Sequence, residues 1–82
     1  MSTEGASKIV YAGYGVYNQT GNATDPITRA YNSGQRVFVA NNSWIGDPAP
    51  GERKYLYIVW DGPGGRQSGV TGEDDQRGIS IP

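Results

Sequence analysis

The sequence predicts an all-β to α+β fold, a small antiparallel β-sandwich-like domain with one short helix. Three observations carry that reading. β-Branched and aromatic residues gather in the short stretches KIVYAGY, QRVFVAN and KYLYIVW, and such residues suit a pleated, half-buried surface. Thirteen Gly and five Pro punctuate the 82 residues, as expected for short strands joined by turns. One stretch alone, TDPITRAYNSG, carries helix start and stop signals at a helical distance.

Residues 1–7 are small and polar and read as a flexible N-terminal tail, leaving 8–82 as a single domain. Lys8 to Tyr14 is the first strand. The following GVYNQTGNAT reads as a loop, because Gly, Asn and Thr favour turns. In the helix, Thr24 or Asp25 caps the first N–H groups, Pro26 suits the first turn, and Gly34 ends it in the left-handed region. Gln35 to Asn41 is a second strand. Lys54 to Trp60 is apolar on both faces and is placed centrally in the sheet. DGPGG at 61–65 is a turn, Gln67 to Val70 pairs more weakly, and the terminal GISIP supplies a last strand.

Leu, Ile, Val and Phe number 14 in all, so six Tyr and two Trp are expected to supply part of the buried area. A chain of this length is near the size where stability becomes marginal. A net charge of -1 keeps the low hydrophobicity from implying disorder. Scattered basic residues argue against nucleic acid as a partner. No apolar run approaches ~20 residues, so membrane insertion is not expected. MSTEGASKIV has no secretory pattern, which implies a cytoplasmic or non-classically released protein with Asn18, Asn22 and Asn41 unmodified. The absence of Cys and His removes disulfides, thiolate nucleophiles, His-based triads and the usual zinc sites. The acidic run at 73–75 does not supply the roughly six converging oxygens that calcium needs, so neither metal nor cofactor is expected.

The most informative stretch is NNSWIGDPAPGERKYLYIVW, residues 41–60. Pro48 and Pro50 fix their own φ and extend Asp47 and Ala49 before them, which stiffens the loop in advance. Such a loop presents Asn42, Asp47 and Lys54, an amide, a carboxylate and an ammonium. That set matches the vicinal hydroxyls of a sugar, and Tyr14 or Trp44 can face the apolar side of a pyranose ring. Each residue also has a plainer use: Asp47 as a turn cap, Lys54 as a solvated strand entry, Trp44 and Tyr14 as core. Alternation of Tyr55, Tyr57 and Val59 suits sheet packing or an oligomer contact.

YAGYG and NSWIGDPAPGERKYLYIVW together resemble the carbohydrate-recognition domain of rhamnose- and galactose-binding lectins of the sea-urchin-egg lectin type (SUEL). Those domains carry YGR after the first strand and end in NSVFGDPCxGTYKYLxVxY. Asn42, Asp47 and Lys54 keep the family spacing, and the resemblance runs from about Lys8 to Trp60. It implies a non-enzymatic lectin for glycans with terminal galactose or rhamnose, with Tyr14, Asn42, Asp47, Lys54 and Trp44 at the site. The departures are Val16 for the Arg of YGR, Ala49 for the Cys of DPC, and no other cysteine, so the likeness is to a cysteine-free variant. Family domains also open with a further strand bearing a sugar-bonding Glu that has no match here. Glu73, with Asp74 and Asp75 as alternatives, is expected to replace it if the tail folds back.

One weak site per domain gains avidity when several are presented together, so a homodimer is expected. The alternative is a protein-interaction or structural module that keeps the lectin-like scaffold without sugar binding. Glycoside hydrolysis is not expected, since it needs two carboxylates at a set separation and Asp47 alone is firmly framed.

Overall fold

The computed structural model describes residues 7–82. In chain order the elements are strands β1 (Lys8–Val16) and β2 (Gln19–Asn22), helix α1 (Thr24–Asn32), and strands β3 (Val37–Phe38), β4 (Tyr55–Gly62), β5 (Gly65–Gly72) and β6 (Ile79–Ser80). Four of the strands form an antiparallel sheet in the order β2-β1-β4-β5, and β3 pairs with β6 in a separate antiparallel ribbon. The result is the small α+β, sandwich-like domain expected from the sequence.

Period-two alternation decides which side of the large sheet is buried. Along β4, Leu56, Ile58 and Trp60 point inward, and across the register Ala12 and Tyr14 of β1 meet Ile58 and Leu56. Helix α1 lays Ile27 and Tyr31 on that face, while the ribbon contributes Phe38 and Ile79, with Ile81 just beyond it. All the core lies on one side. Burying Leu, Ile or Phe side chains of this kind stabilises by ~1.5–3 kcal/mol each. The Tyr31 hydroxyl accepts from the Ser7 N–H and donates to the Pro82 carbonyl, both at 2.6 Å, and the Arg36 guanidinium lies 3.9 Å above its ring. Those bonds join both edges of the described chain to the helix. The expected tail otherwise lies outside the described residues, and Ser7 itself is held.

Several elements differ from expectation, each for a local reason. The expected loop at 15–24 contains β2, because β1 runs on to Val16 and turns at Tyr17 and Asn18 to pair with Gln19–Asn22. Gly15 permits that return: its φ is +152°, and an added Cβ would sit 2.2 Å from the Gln19 carbonyl oxygen. Helix α1 starts one or two residues earlier than expected, with Ala23 at its N-cap and no side chain capping it from that position. The Asn22 side chain accepts from the Thr24 N–H at 2.9 Å, and the Thr24 hydroxyl accepts from the Ala12 N–H at 2.9 Å, tying the helix start to β1. Gly34, at φ +109°, follows the helix as expected. The expected strand at 35–41 shrinks to Val37–Phe38, since its partner β6 offers only two residues. Beyond it, the Val39 carbonyl accepts from the Trp44 indole instead. Conversely β5 is longer than the expected weak pairing and matches β4 along its whole length. Strand β4 is central, but only one of its faces is covered.

Gly15→Ala must move the β1–β2 turn, so we expect a loss of about 1–3 kcal/mol. Ile58→Ala, at a fully buried position, should cost about 2–5 kcal/mol. Urea unfolding of both variants checks these values.

Candidate functional site

Register brings three separated segments to one end of the sheet. Gly15 pairs with Tyr55 and Tyr55 with Gly72, so the end of β1, the start of β4 and the end of β5 lie side by side. Tyr14, Lys54 and Glu73 meet there, and the loop before β4 adds Asn42 and Asp47. Five of the six residues singled out from the sequence therefore converge.

Lys54 is the centre of the cluster and is only 3% exposed. Its Nζ lies 2.7 Å from the Glu52 carbonyl, 3.0 Å from Asp47 Oδ1, 3.2 Å from the Ala49 carbonyl and 3.4 Å from Glu73 Oε1. An ammonium has three protons, so four acceptors saturate it. The loop is shaped for this duty: Pro48 and Pro50 limit its conformations, and Asp47 Oδ1 also accepts from the Ala49 N–H at 3.2 Å. Asp47 is thus both the turn cap of the plainer reading and an ion-pair partner. Glu73 is locked from the other side. Its Oε1 accepts from the Lys54 N–H at 2.8 Å, and its own N–H donates to the Lys54 carbonyl at 3.0 Å.

The Tyr14 phenol faces two acceptors, Asn42 Oδ1 at 2.7 Å and Glu73 Oε2 at 3.2 Å. It has one proton to give. Burial, then the charge of Glu73 and the hydrogen bond to it, and then the charge of Asp47, raise the phenol's pKa well above the ordinary tyrosine range. Burial opposes the Lys54 charge, but hydrogen bonds and attraction from Asp47 and Glu73 outweigh it and raise its pKa. Glu73 is held below the usual carboxylate range, first by the Lys54 N–H and then, against some burial, by the ammonium and Tyr14.

Exposure divides the cluster into a base and a rim. Tyr14 is wholly buried, so its ring presents no face to a ligand. The carboxylates remain accessible, with 35% of the Asp47 side chain and 30% of the Glu73 side chain exposed. Asn42 is exposed beside them. Trp44 packs on Phe38 with ring centroids 6.1 Å apart, and its indole N–H bonds Val39, so it serves the core. Of the other tail candidates, Asp74 pairs with Arg53 and Asp75 with Arg77. The carbonyls of Ala49 and Glu52 were not foreseen, since a backbone acceptor leaves no side-chain signature.

No group of three or more His, Cys, Asp or Glu among the described residues is arranged to hold a metal ion. No helix among them is long and apolar enough to cross a membrane. The chain matches no family model, and no curated protein or solved structure matches it.

Glu73 has a lowered folded pKa, so its contribution to stability is complete above the ordinary value of 4.5 and disappears as the pH falls through the lowered one. The melting temperature should therefore drop on acidification below about pH 4.5, and less steeply in Glu73→Gln. A residual slope is expected, because Asp61, Asp74 and Asp75 are also held low by their Arg partners. At the alkaline end, phenolate absorbance should show a late step that Tyr14→Phe removes.

Proposed function

We propose that the chain is a non-enzymatic carbohydrate-binding protein, taking neutral galactose- or rhamnose-type terminal sugars at the rim formed by Asn42, Asp47 and Glu73. The single observation that supports this most is an excess of acceptors over protons. The Tyr14 phenol serves only one of Asn42 Oδ1 and Glu73 Oε2 at a time, and Lys54 has four acceptors for three protons. With two carboxylates against one ammonium, the cluster carries a net charge of -1. A ligand that donates several hydrogen bonds without bringing negative charge completes such a rim, and vicinal sugar hydroxyls do so. Lys54 and Tyr14 act as positioning residues beneath it, which departs from direct contact as the resemblance implies. Prior order in the loop lowers the entropic cost of binding.

The homodimer belongs to the same proposal, since two weak sites presented together gain avidity. One observation favours the second reading, a scaffold kept for protein contacts: Lys54 is saturated and Tyr14 buried, so the cluster also suffices as a clamp for the loop.

Calorimetric titration with galactose, rhamnose, glucose and galacturonic acid separates the readings. The proposal expects saturable, millimolar binding of galactose or rhamnose, exclusion of the acidic sugar, and about tenfold weaker binding for Asn42→Ala or Glu73→Gln, the loss of one good hydrogen bond. No binding of any neutral sugar would remove the lectin reading and leave the scaffold one.

A further inference from the structure

We infer that the uncovered face of the four-stranded sheet is where two copies of this chain pack against each other. This gives a surface to the homodimer named above and does not depend on what the polar cluster binds.

The alternation that sends Leu56, Ile58 and Trp60 inward sends Tyr55, Tyr57 and Val59 outward, joined across the register by Tyr11 and Val70. Tyr11 is 42% exposed and Val70 58%. Among the described residues no helix or further strand packs on this face. Its three adjoining rows, Gly15–Tyr55–Gly72, Gly13–Tyr57–Val70 and Tyr11–Val59–Ser68, contain no charged residue. Charge is confined to the ends: Lys8, Asp61 and Arg66 form the row at one end, and Arg53 stands at the other. Even Arg53 lies flat, its guanidinium 4.7 Å from the Tyr55 ring centroid and over Gly72.

The glycines give the face its shape. A Cβ on Gly13 would come within 3.0 Å of the Tyr11 hydroxyl, so that side chain rests against bare backbone. A broad face with little relief suits another sheet better than a peptide, which needs a groove or an open edge. Tyrosine and arginine are enriched in interfaces and charge is depleted at their centres. An uncharged aromatic area of this kind on a small chain marks an interaction site.

Area sets the strength. A strand spacing of ~4.8 Å and a rise of ~3.3 Å per residue give these rows, three positions on each of three strands, a flat area of roughly 300 Å² per copy. Two such faces bury on the order of 600 Å² before side-chain relief is added, below the ~1,200–2,000 Å² of stable specific interfaces and in the range of transient ones. The dimer is therefore reversible. The contact is isologous about a two-fold axis, and because the polar cluster sits on the inner side of the sheet, both copies keep it open.

The test is light scattering of the full chain over about a hundredfold range of concentration. We expect the mass to rise from monomer to dimer. Val70→Glu and Ser68→Lys, both at exposed positions of the face, should weaken dimerisation by tenfold or more while keeping cooperative melting. Asn32→Glu, on exposed helix surface in the other layer, should dimerise as the unaltered chain does. A monomer at every concentration would overturn the inference. So would a dimer that both face variants leave unchanged, since the contact would then lie elsewhere.

Discussion

A buried ammonium organises this molecule. Lys54 enters the central strand at a position where the sheet end is closed over, and a cation removed from water is tolerated only when paired and fully hydrogen-bonded. Its four oxygens come from the loop before it and the segment after β5. Two carbonyls of the 41–54 loop must therefore turn inward, and Pro48 and Pro50 favour the conformation in which they do. The segment after β5 must return so that Glu73 can approach. From Gly72 the chain then leads to β6, which seals Phe38 beneath Ile79. One charge thus couples the loop, the sheet end and the closing ribbon.

The same interaction shapes the surface above it. Satisfying one ammonium with two carboxylates and two carbonyls leaves more acceptors than protons, and the surplus lies on the exposed rim. That surplus disfavours anions and favours neutral donors, while the rigid base keeps the acceptors fixed before a ligand arrives. Asymmetry of the fold adds a second surface. Because α1 and the ribbon cover only one side of the sheet, its other side is left open, with an aromatic middle and charge only at its ends.

Much of the fold was legible in the sequence, and the reasons differ by element. Strand β4 was plain because apolar residues on both faces leave few alternatives, and α1 because Pro26 and Gly34 bracket it. Strand β2 was hidden: QTGN is polar, and it forms because Gly15 lets the chain turn back tightly, a demand visible only in three dimensions. The helix start was misplaced by one or two residues because Thr24 and Asp25 are both competent caps, whereas the cap position falls on Ala23, which has no capping side chain, and the Thr24 hydroxyl is taken by β1. At the site, Asn42, Asp47 and Lys54 were readable as complementary polar groups on one stiff loop, whereas the return of Glu73 was expected only from the resemblance, as the substitute for a missing acid. Their division into buried base and open rim was not, since Tyr14 and Lys54 carry polar tips that suit either place. Trp44 could be core or platform by its chemistry alone, and packing on Phe38 made it core.

The most direct test of the central claim, that a Lys54-anchored rim accepts sugar hydroxyls, is a titration of the nitrogen-15-labelled chain with galactose followed by amide NMR. The account predicts saturable shifts confined to the amides of 41–54 and of Glu73 and its neighbours, with the outer face of β4 and β5 unmoved. Shifts that never saturate, or that saturate elsewhere, would contradict it.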